Sequence, residues 1–273
     1  MTWDGEELDI DAYLGRLGHT GKTKPDLDTL RALHREHVAA IPFENLEMML
    51  GRPVPLDLPA LQDKLLRRRR GGYCYEQNLI FAAALERIGF DVTGLAARVR
   101  VGATSTRAVS HMLLKVEVDG EAWHCDTGFG ADGLLEPIPL RGGVEMQQGE
   151  WRFSLQEENE GVLALRTWRP DGWFDLYAYT RERRLPVDYV LMNHYTSTHP
   201  RSSFIRRPVL QRAAPEIRRL LVGDQLTLMR PDGSVEERSV PVGELMEVLD
   251  REFGIELDAA DSAELIRVHY AGA

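Results

Sequence analysis

The nonapeptide at residues 70–78, Arg-Gly-Gly-Tyr-Cys-Tyr-Glu-Gln-Asn, places a cysteine between a glycine pair and a predicted helix. Apolar residues recur at helical spacing over residues 79–88, and Gly89 follows as a stop signal. We therefore expect Cys74 at a helix N-terminus, where free backbone N–H groups and the helix dipole favour a negative charge. Such surroundings favour the thiolate, the form of a cysteine that attacks carbon. We interpret Cys74 as a nucleophile, and the alternative is a buried structural cysteine.

A cysteine nucleophile needs a base, and the chain has eight histidines that compete for that role. A thiolate works best beside an imidazole that a carboxylate or an amide orients. The dipeptide Asp119-Gly120 is typical of a two-residue hairpin turn. A hairpin closed there makes His111 and Asp126 diagonal neighbours on one face, a separation that long side chains bridge. We therefore predict that Cys74, His111 and Asp126 form a catalytic triad.

The same hairpin register sorts the neighbouring residues between two faces. The predicted pairs are Val118 with Glu121, Val116 with Trp123, Leu114 with Cys125, and Leu113 with Asp126. One face is apolar, so Cys125 is expected in the core. His124 shares the other face with His111 and is the alternative base, although its position nearer the turn favours solvent or a hydrogen-bond partner.

Other histidines offer weaker alternatives. His34 and His37 lie three residues apart on a predicted helix and could share a metal ion, but no third ligand is nearby and zinc-type Cys/His spacing is absent. We expect packed or exposed histidines there and no metal site. His194 and His199 fall in a polar stretch, residues 193–200, that we predict to be a loop, and the sequence assigns them no role.

The periodicity of the chain divides it into helical and strand-rich parts. Helices are predicted at residues 8–17, 29–40, 58–69 and from Cys74 onward. From Asp91 the period changes to two, with strands predicted at residues 97–101, 112–118, 122–125, 151–155, 163–168 and 173–179. This regular spacing favours an antiparallel sheet or barrel over roughly residues 91–185. Beyond it we predict a hairpin at residues 226–229 and 235–240 and helices at 242–253 and 262–270.

Composition excludes several classes of protein. A formal charge of −10 over 273 residues argues against nucleic-acid binding, which needs a basic surface. Residues 1–20 contain acids and no apolar run, and no stretch approaches the ~18 apolar residues of a membrane span, so we expect neither a secretory signal nor membrane insertion. Two cysteines make no disulfide framework, and we expect a reducing, cytoplasmic location.

One basic cluster, Lys64 with residues 67–70, interrupts the acidic chain just before the glycine pair. Residues 67–69, all arginine, fit a solvated helix face, and the alternative is a cationic rim that favours the thiolate or receives a phosphorylated substrate. Arg70 adjoins the turn, so we expect it to be tied to a partner.

Four segments of this chain resemble the arylamine N-acetyltransferase family. The segment ahead of the nucleophile, residues 41–46, reads Ile-Pro-Phe-Glu-Asn-Leu, and residues 70–78 are similar to the family signature Arg-Gly-Gly-X-Cys-X-Glu. His111 and residues 126–130, Asp-Thr-Gly-Phe-Gly, resemble the family's histidine and its Asp-Val-Gly-Phe-Gly motif. Residues 193–204 resemble a later Tyr-Thr-Ser stretch. The likeness runs from about residue 8 to 210, with Thr127 and His194 as departures.

The resemblance implies an α+β protein of three domains. Residues 1–90 would form a helical bundle with the nucleophile, residues 91–190 an antiparallel β-barrel with the histidine and the aspartate, and residues 191–273 an α/β lid. The catalytic core would be arranged as in papain-like proteases. The helices, strands and mixed tail expected from periodicity agree with this division.

The resemblance also implies contacts with two substrates. The acceptor side would be formed by Phe43, Phe129 and Phe204, and the donor side by Gly128, Phe129 and Gly130. Arg70 would pair with Glu44 as a structural ion pair.

The implied activity is a ping-pong acetyl transfer from acetyl-CoA to arylamines or arylhydrazines through an acetyl-cysteine. Acetyl-CoA is then a donor substrate, and no tightly bound cofactor is expected. Three alternatives stay open at this point: an amide synthase of the same family that closes a macrolactam, a cysteine hydrolase, and a binding module without catalysis. The sequence predicts no oligomeric state.

Overall fold

Helices make up most of the first ninety residues in the computed structural model, which describes residues 2–270. They are α1 (Ile10–Leu17), α2 (Leu27–Ala40), α3 (Leu46–Met49), α4 (Leu58–Leu61) and α5 (Cys74–Ile88). Asp9, Asp26 and Asp57 each accept a backbone N–H from the first turn of a helix, which explains where α1, α2 and α4 begin. In the part of the chain that the structure describes, no helix has the length and apolar content of a membrane span.

The helix predicted over residues 58–69 is wrong in its second half. α4 is regular, but Gln62–Arg67 forms a wider, π-helical turn. The N–H of Arg70 donates to the carbonyl of Lys64 at 3.0 Å, so the chain leaves the helix through an enlarged turn. Lys64 is buried at this point, whereas residues 67–69 are exposed, as expected for a solvated face.

Eight antiparallel strands form the second part of the protein. They are β2 (Asp91–Val99), β3 (His111–Val118), β4 (Glu121–Cys125), β5 (Ile138–Pro139), β6 (Val144–Gln148), β7 (Trp151–Glu157), β8 (Leu163–Arg169) and β9 (Gly172–Tyr179). Their order in the sheet is β5-β4-β3-β2-β9-β8-β7-β6. The two outermost strands, β5 and β6, approach each other, so the sheet is a nearly closed barrel. The predicted barrel is confirmed.

The hairpin of β3 and β4 has the predicted register. Val118 pairs with Glu121, Val116 with Trp123, and Leu114 with Cys125. Asp119 and Gly120 have positive φ angles of 52° and 79°, as a two-residue hairpin turn requires. The apolar face packs on the helices, whereas Leu113 on the other face lies in the barrel core. β4 ends at Cys125, so the predicted pair of Leu113 with Asp126 lies beyond the ladder.

The third part is a five-stranded antiparallel sheet with two helices. In spatial order the strands are β1 (Phe43–Glu44), β10 (Val209–Ala213), β11 (Arg218–Val222), β12 (Gln225–Met229) and β13 (Val235–Ser239). The helices are α7 (Leu245–Phe253) and α8 (Ala259–His269). β12 and β13 confirm the predicted hairpin. β1 belongs to the helical part of the sequence, so the C-terminal sheet is completed by an early segment of the chain.

A helix stands where we predicted a polar loop at residues 193–200. α6 (Pro186–Thr198) begins with a proline. The carboxylate of Asp188 accepts the N–H of Leu185, the residue just before the helix. Its buried side chains include Asn193 and Thr196, whose polar atoms are hydrogen-bonded inside the protein. After Tyr189 the buried side chains of α6 are polar, and this is why residues 193–200 resemble a loop in the sequence. α6 runs across the domain boundary that we predict at residue 190.

Candidate active site

The glycine pair before the nucleophile is clamped against the segment ahead of it. A Cβ atom on Gly71 would lie 2.2 Å from the carbonyl oxygen of Pro42, so only glycine fits there. The N–H of Gly72 donates to that same carbonyl at 3.2 Å, and the N–H of Glu44 donates to the carbonyl of Gly72 at 3.1 Å. The turn that leads into α5 is therefore fixed by backbone bonds to a neighbouring strand.

Cys74 is the first residue of α5, as predicted, and only 5% of its surface is exposed. Within residues 2–270, its backbone N–H donates to no protein oxygen. The thiol Sγ lies 4.0 Å from the carbonyl oxygen of Ser110, at the start of β3. A free N–H at a helix start attracts negative charge, so this end of α5 can stabilise an oxyanion as well as a thiolate.

The ring of His111 lies between Asp126 and Cys74. Its Nε2–H donates to Asp126 Oδ2 at 2.6 Å, and Cys74 is near enough to help raise the pKa of the ring. Burial lowers the pKa of His111, but the charge and hydrogen bond of Asp126 and the contribution of Cys74 outweigh it and raise the pKa to about 10. The imidazole is therefore a cation at pH 7, and a cation beside a thiol favours the thiolate.

Asp126 is buried and ionised because four donors surround its carboxylate. The His111 ring and the Tyr177 hydroxyl, at 2.6 and 2.7 Å, bind Oδ2, and the Asn78 amide and the Gly128 N–H, both at 3.0 Å, bind Oδ1. Burial raises the pKa of Asp126, but the charge of His111 and these hydrogen bonds lower it to about 2. The acid is thus held in one charge state and one orientation.

Asn78 and Tyr177 are the residues at this site that sequence reasoning missed. Asn78 lies four residues after Cys74 on α5, so both side chains project from one helix face, and this spacing was an available signal. Its Nδ2 also donates to the carbonyl of Met112 at 2.8 Å. Tyr177 comes from β9, and no local pattern links it to Asp126.

His124, the alternative base, has a hydrogen-bond partner at each of its ring nitrogens. Tyr177 donates its hydroxyl hydrogen to Asp126, so the same hydroxyl accepts from His124 Nε2–H at 2.8 Å. Nδ1 of His124 then accepts from the Tyr179 hydroxyl at 2.6 Å. Burial lowers the pKa of His124 to about 3, so the ring is neutral. A directed chain of hydrogen bonds therefore runs from Tyr179 to Asp126.

His34 and His37 are packed in the protein interior. The Nδ1–H of His34 donates to the carbonyl of Leu135 at 3.0 Å, and its Nε2 accepts the N–H of Asp126 at 3.1 Å. Burial lowers the pKa of His34 to about 4 and that of His37 to about 3. Over residues 2–270, no group of three or more His, Cys, Asp or Glu side chains is placed to hold a metal ion.

Five buried charged side chains, here called the ion cluster, lie beneath the glycine turn: Glu44, Glu47, Lys64, Arg70 and Glu76. Arg70 Nη2 donates to Glu44 Oε1 at 3.0 Å, so these two residues lie together as the resemblance implies. Lys64 Nζ donates to Glu76 Oε1 at 2.7 Å and lies 3.8 Å from Glu44 Oε1. Glu76 Oε2 accepts the N–H of Tyr73 at 3.0 Å. The cluster thus reaches the residue just before the nucleophile.

Aromatic rings surround the triad on two sides. Phe129 is half-buried, with its ring centre 5.1 Å from that of His111. Phe204 is also half-buried and packs on Phe43 and Tyr73, with ring-centre distances of 5.7 and 6.1 Å. Phe43 itself is buried behind them. The predicted acceptor residues therefore lie in two places. Phe129 packs on His111, and Phe43 and Phe204 pack beside Tyr73, the residue before Cys74.

Gly128 and Gly130 face atoms of this chain. A Cβ atom on Gly128 would lie 2.6 Å from Cys74 Cα, and one on Gly130 would lie 2.5 Å from the Gln211 side chain. Gly128 therefore permits the loop after β4 to pack against the start of α5, and Gly130 lets the same loop approach the C-terminal sheet. Contact of either glycine with the donor stays a prediction.

The remaining candidates take no part in the triad. Cys125 is fully buried in the core, as predicted, and burial raises the pKa of its thiol. His194 is exposed and lines a surface cleft of about 620 Å³ on α6, which includes none of the triad residues. The ring of His199 stacks on Tyr195 at 4.4 Å between centres.

Comparison with known proteins agrees with this geometry. A protein-family model described as N-acetyltransferase matches residues 26–262. The chain is 34% identical, over 256 residues, to an arylamine N-acetyltransferase of Escherichia coli strain K12, and the match covers 92% of this chain and 90% of that protein.

Solved structures show the same likeness. A Nocardia farcinica arylamine N-acetyltransferase is 48% identical with a TM-score of 0.92, covering 97% of this chain and 95% of that one. A Mycobacterium marinum arylamine N-acetyltransferase in complex with CoA is 32% identical with a TM-score of 0.88, covering 96% and 100%. This chain is therefore an acyltransferase and belongs to the arylamine N-acetyltransferase family.

Proposed function

We propose that this protein transfers an acetyl group from acetyl-CoA to an arylamine or arylhydrazine by a ping-pong reaction. Cys74 is the nucleophile, His111 the proton carrier and Asp126 the orienting acid. The observation that supports these roles most directly is the buried hydrogen bond of 2.6 Å between His111 and Asp126, on a ring whose pKa the neighbouring Cys74 also helps to raise. The relatives that match are named for arylamine acetyl transfer, and one was solved in complex with CoA.

In the first half-reaction the Cys74 thiolate attacks the thioester carbonyl of acetyl-CoA. The oxyanion that forms is stabilised by the free N–H of Cys74 at the start of α5. The carbon–sulfur bond to CoA then breaks, and the CoA sulfur takes the proton of His111. An acetyl-cysteine and a neutral imidazole are left. One thioester replaces another, so this step is nearly isoenergetic and suits a cysteine.

In the second half-reaction the amine nitrogen attacks the acetyl carbon, and neutral His111 accepts the amine proton. The bond between the carbon and Cys74 breaks, which restores the thiolate beside a protonated imidazole. Arylamines are weak bases and are neutral at pH 7, so they need no prior deprotonation. Asp126 keeps His111 Nε2 engaged throughout, which leaves the other ring nitrogen for the proton.

We assign the acceptor to the aromatic side chains around the triad. The rings of Phe129 and Phe204 are half-buried and have exposed area left for an aryl group, and Phe43 supports Phe204 from behind. Gly128, Phe129 and Gly130 are proposed on the donor side. Water would hydrolyse an acetyl-cysteine, so we propose that the C-terminal α/β domain acts as a lid over it.

The chain is proposed to act as three domains, residues 1–90, 91–190 and 191–273, in the cytoplasm. Its two cysteines, Cys74 and Cys125, are both free thiols, which suits a reducing compartment.

Mapping the acetyl group tests this mechanism. We expect the intact protein, incubated with acetyl-CoA and no amine, to gain one acetyl group, which digestion and mass spectrometry place on Cys74. Addition of aniline should remove it and yield acetanilide. Label on another residue, or no label, contradicts the proposal. Cys125→Ser is the control and should label normally, because Cys125 lies in the core.

The same experiment separates the alternatives. A cysteine hydrolase would release acetate without amine as fast as it acetylates aniline. A macrolactam-forming amide synthase would fail with free acetyl-CoA and a simple arylamine. A binding module would show equal rates of alkylation at Cys74 and Cys125 in the native protein.

A further inference from the structure

The ion cluster takes no part in the proton transfers above, yet it lies directly under the start of α5. Glu76 is in the first turn of that helix, two residues after Cys74. One of its carboxylate oxygens binds the N–H of Tyr73 at 3.0 Å, and the other binds Lys64 Nζ at 2.7 Å. Lys64 and Glu76 are 5% and 1% exposed, so water screens neither charge.

Lys64 reduces the electrostatic repulsion between the Glu76 carboxylate and a Cys74 thiolate. A carboxylate in the first turn caps a helix well, but a second negative charge there opposes a cysteine thiolate in the same turn. Burial, with the charge of Glu44, raises the pKa of Glu76 overall, and the charge and hydrogen bond of Lys64 limit that rise. Arg70 pairs with Glu44 and Glu47, and Lys64, although it also lies 3.8 Å from Glu44, is the cation that pairs directly with Glu76.

We propose that Lys64 is a positioning residue for the nucleophile. Its ammonium group keeps Glu76 ionised, so that the cap on the Tyr73 N–H is maintained, and it cancels the negative charge that the Cys74 thiolate would otherwise face. The inference rests on the proposed role of Cys74 as the nucleophile.

The other titratable groups around Cys74 do not produce the same pH dependence. They are His111 and Asp126 from the barrel, Tyr73 and Tyr75 from the start of α5, and Tyr189 from α6. Burial raises the pKa of each tyrosine above its ordinary value, so the tyrosines are neutral between pH 6 and 9. The pKa of Asp126 lies below this range and that of His111, at about 10, lies above it. Glu44 also loses a neighbouring cation when Lys64 is replaced, since Lys64 Nζ lies 3.8 Å from it, but Arg70 still pairs with Glu44 at 3.0 Å. A new titration between pH 6 and 9 that Glu76→Gln abolishes would therefore report Glu76.

Alkylation of Cys74 by iodoacetamide, followed from pH 6 to 9 by peptide mass, measures this effect without acetyl-CoA or amine. In Lys64→Met, Glu76 has lost its cation and ionises only as the pH rises. An uncompensated unit charge roughly 10 Å away shifts a pKa by about one unit at an effective dielectric constant of about 20. We therefore expect the Lys64→Met rate, relative to wild type, to fall as Glu76 ionises, by up to about tenfold at pH values where Cys74 is only partly ionised.

Two further variants separate charge from packing. In the double variant Lys64→Met/Glu76→Gln the pair itself has no charge, Glu44 stays paired with Arg70, and the glutamine oxygen can still accept the Tyr73 N–H, so the rate relative to wild type should be the same at every pH. Glu76→Gln alone leaves an unpaired ammonium and should extend alkylation to lower pH. Lys115→Met removes a half-exposed lysine paired with Glu117 and serves as the matched control.

Labelling of the buried Cys125 reports unfolding in every sample. If Lys64→Met and Glu76→Gln both follow the wild-type pH profile, scaled by a constant factor, Lys64 is only structural and the inference is overturned. Loss of acetyl transfer from acetyl-CoA with this pH pattern intact would contradict the proposed function and leave the electrostatic role standing.

Discussion

Asn78 Nδ2 lies 3.0 Å from Asp126 Oδ1, and this bond joins the helix of the nucleophile to the buried acid. The oxygen of the same amide accepts the N–H of Thr127 at 3.1 Å. Asn78, one helical turn after Cys74, therefore fixes the position of Asp126 relative to the start of α5.

We predict that Asn78→Ala lowers kcat/KM for acetyl transfer by about 100-fold, because small displacements of reacting groups have effects of that order. It should also lower the free energy of unfolding by about 3 kcal/mol, since buried partners lose their hydrogen bonds. Urea denaturation and steady-state kinetics measure both. Gln62→Ala, which removes a buried amide remote from the triad, should lower stability and leave kcat/KM near the wild-type value. An Asn78→Ala enzyme of normal activity would separate the amide from catalysis.

Asp126→Asn should lower kcat by about 10⁴-fold, by analogy with the aspartate of serine proteases described for such triads. The amide no longer holds the His111 cation, and the ring loses its fixed orientation. Rapid-quench measurement of Cys74 acetylation tests this directly. Asp132→Asn, which removes an acid paired with Arg169 and Arg218, should acetylate at nearly the wild-type rate. Near-normal turnover in Asp126→Asn would remove Asp126 from its proposed role.

Gly128→Ala should disrupt the site without changing any polar group. The added methyl would lie 2.6 Å from Cys74 Cα, an atom of backbone that cannot move aside. We expect a loss of about 2 kcal/mol in stability and a large fall in the alkylation rate of Cys74. Gly15→Ala is the matched control: it lies in α1 with open space around it and should stabilise the protein by about 1 kcal/mol. Equal behaviour of the two variants would be evidence against this packing.

Acid should destabilise the protein below about pH 6.5. The pKa values of His34, His37 and His124 are lowered by burial to about 4, 3 and 3, so the unfolded chain binds protons first as the pH falls. For each of these histidines, the free energy of unfolding then falls by about 1.4 kcal/mol per pH unit, from the pKa of the unfolded chain down to the pKa in the folded protein. His111 has a raised pKa and is protonated in both states below pH 6.5, so it adds nothing to this slope.

Urea denaturation at pH 7, 6, 5 and 4 measures that slope. His124→Gln should reduce it by about 1.4 kcal/mol per pH unit. An unchanged slope in His124→Gln would mean that His124 is charged in the folded protein.

Local signals in the sequence predicted the position of Cys74 at a helix start and the closeness of His111 to Asp126. The glycine pair, the cysteine and the helix after it are adjacent in the chain, and Asp119 with Gly120 determines the register that brings His111 near Asp126. These features depend on turn geometry and on the period of side chains, and both can be read from short segments.

Features that depend on distant partners were not predicted. On α6, Asn193 and Thr196 are buried and form hydrogen bonds with Val54 and Tyr75, which are distant in the sequence. The apolar spacing that predicts a helix is therefore missing from this segment. Tyr177 reaches Asp126 only because β9 and β2 are neighbours in the barrel. β1 has two residues, too few to show any alternation.

The pairing of Phe43 with Gln211 and of Glu44 with Leu210 has a consequence for shortened versions of this protein. A fragment ending before residue 209 would leave β1 with bare amide and carbonyl groups along one side, next to the ionised Glu44. Such an edge invites association between copies. Deletion of the C-terminal part should therefore yield an insoluble protein and not an active enzyme with an exposed site. Expression of residues 1–205 followed by sedimentation would measure the insoluble fraction.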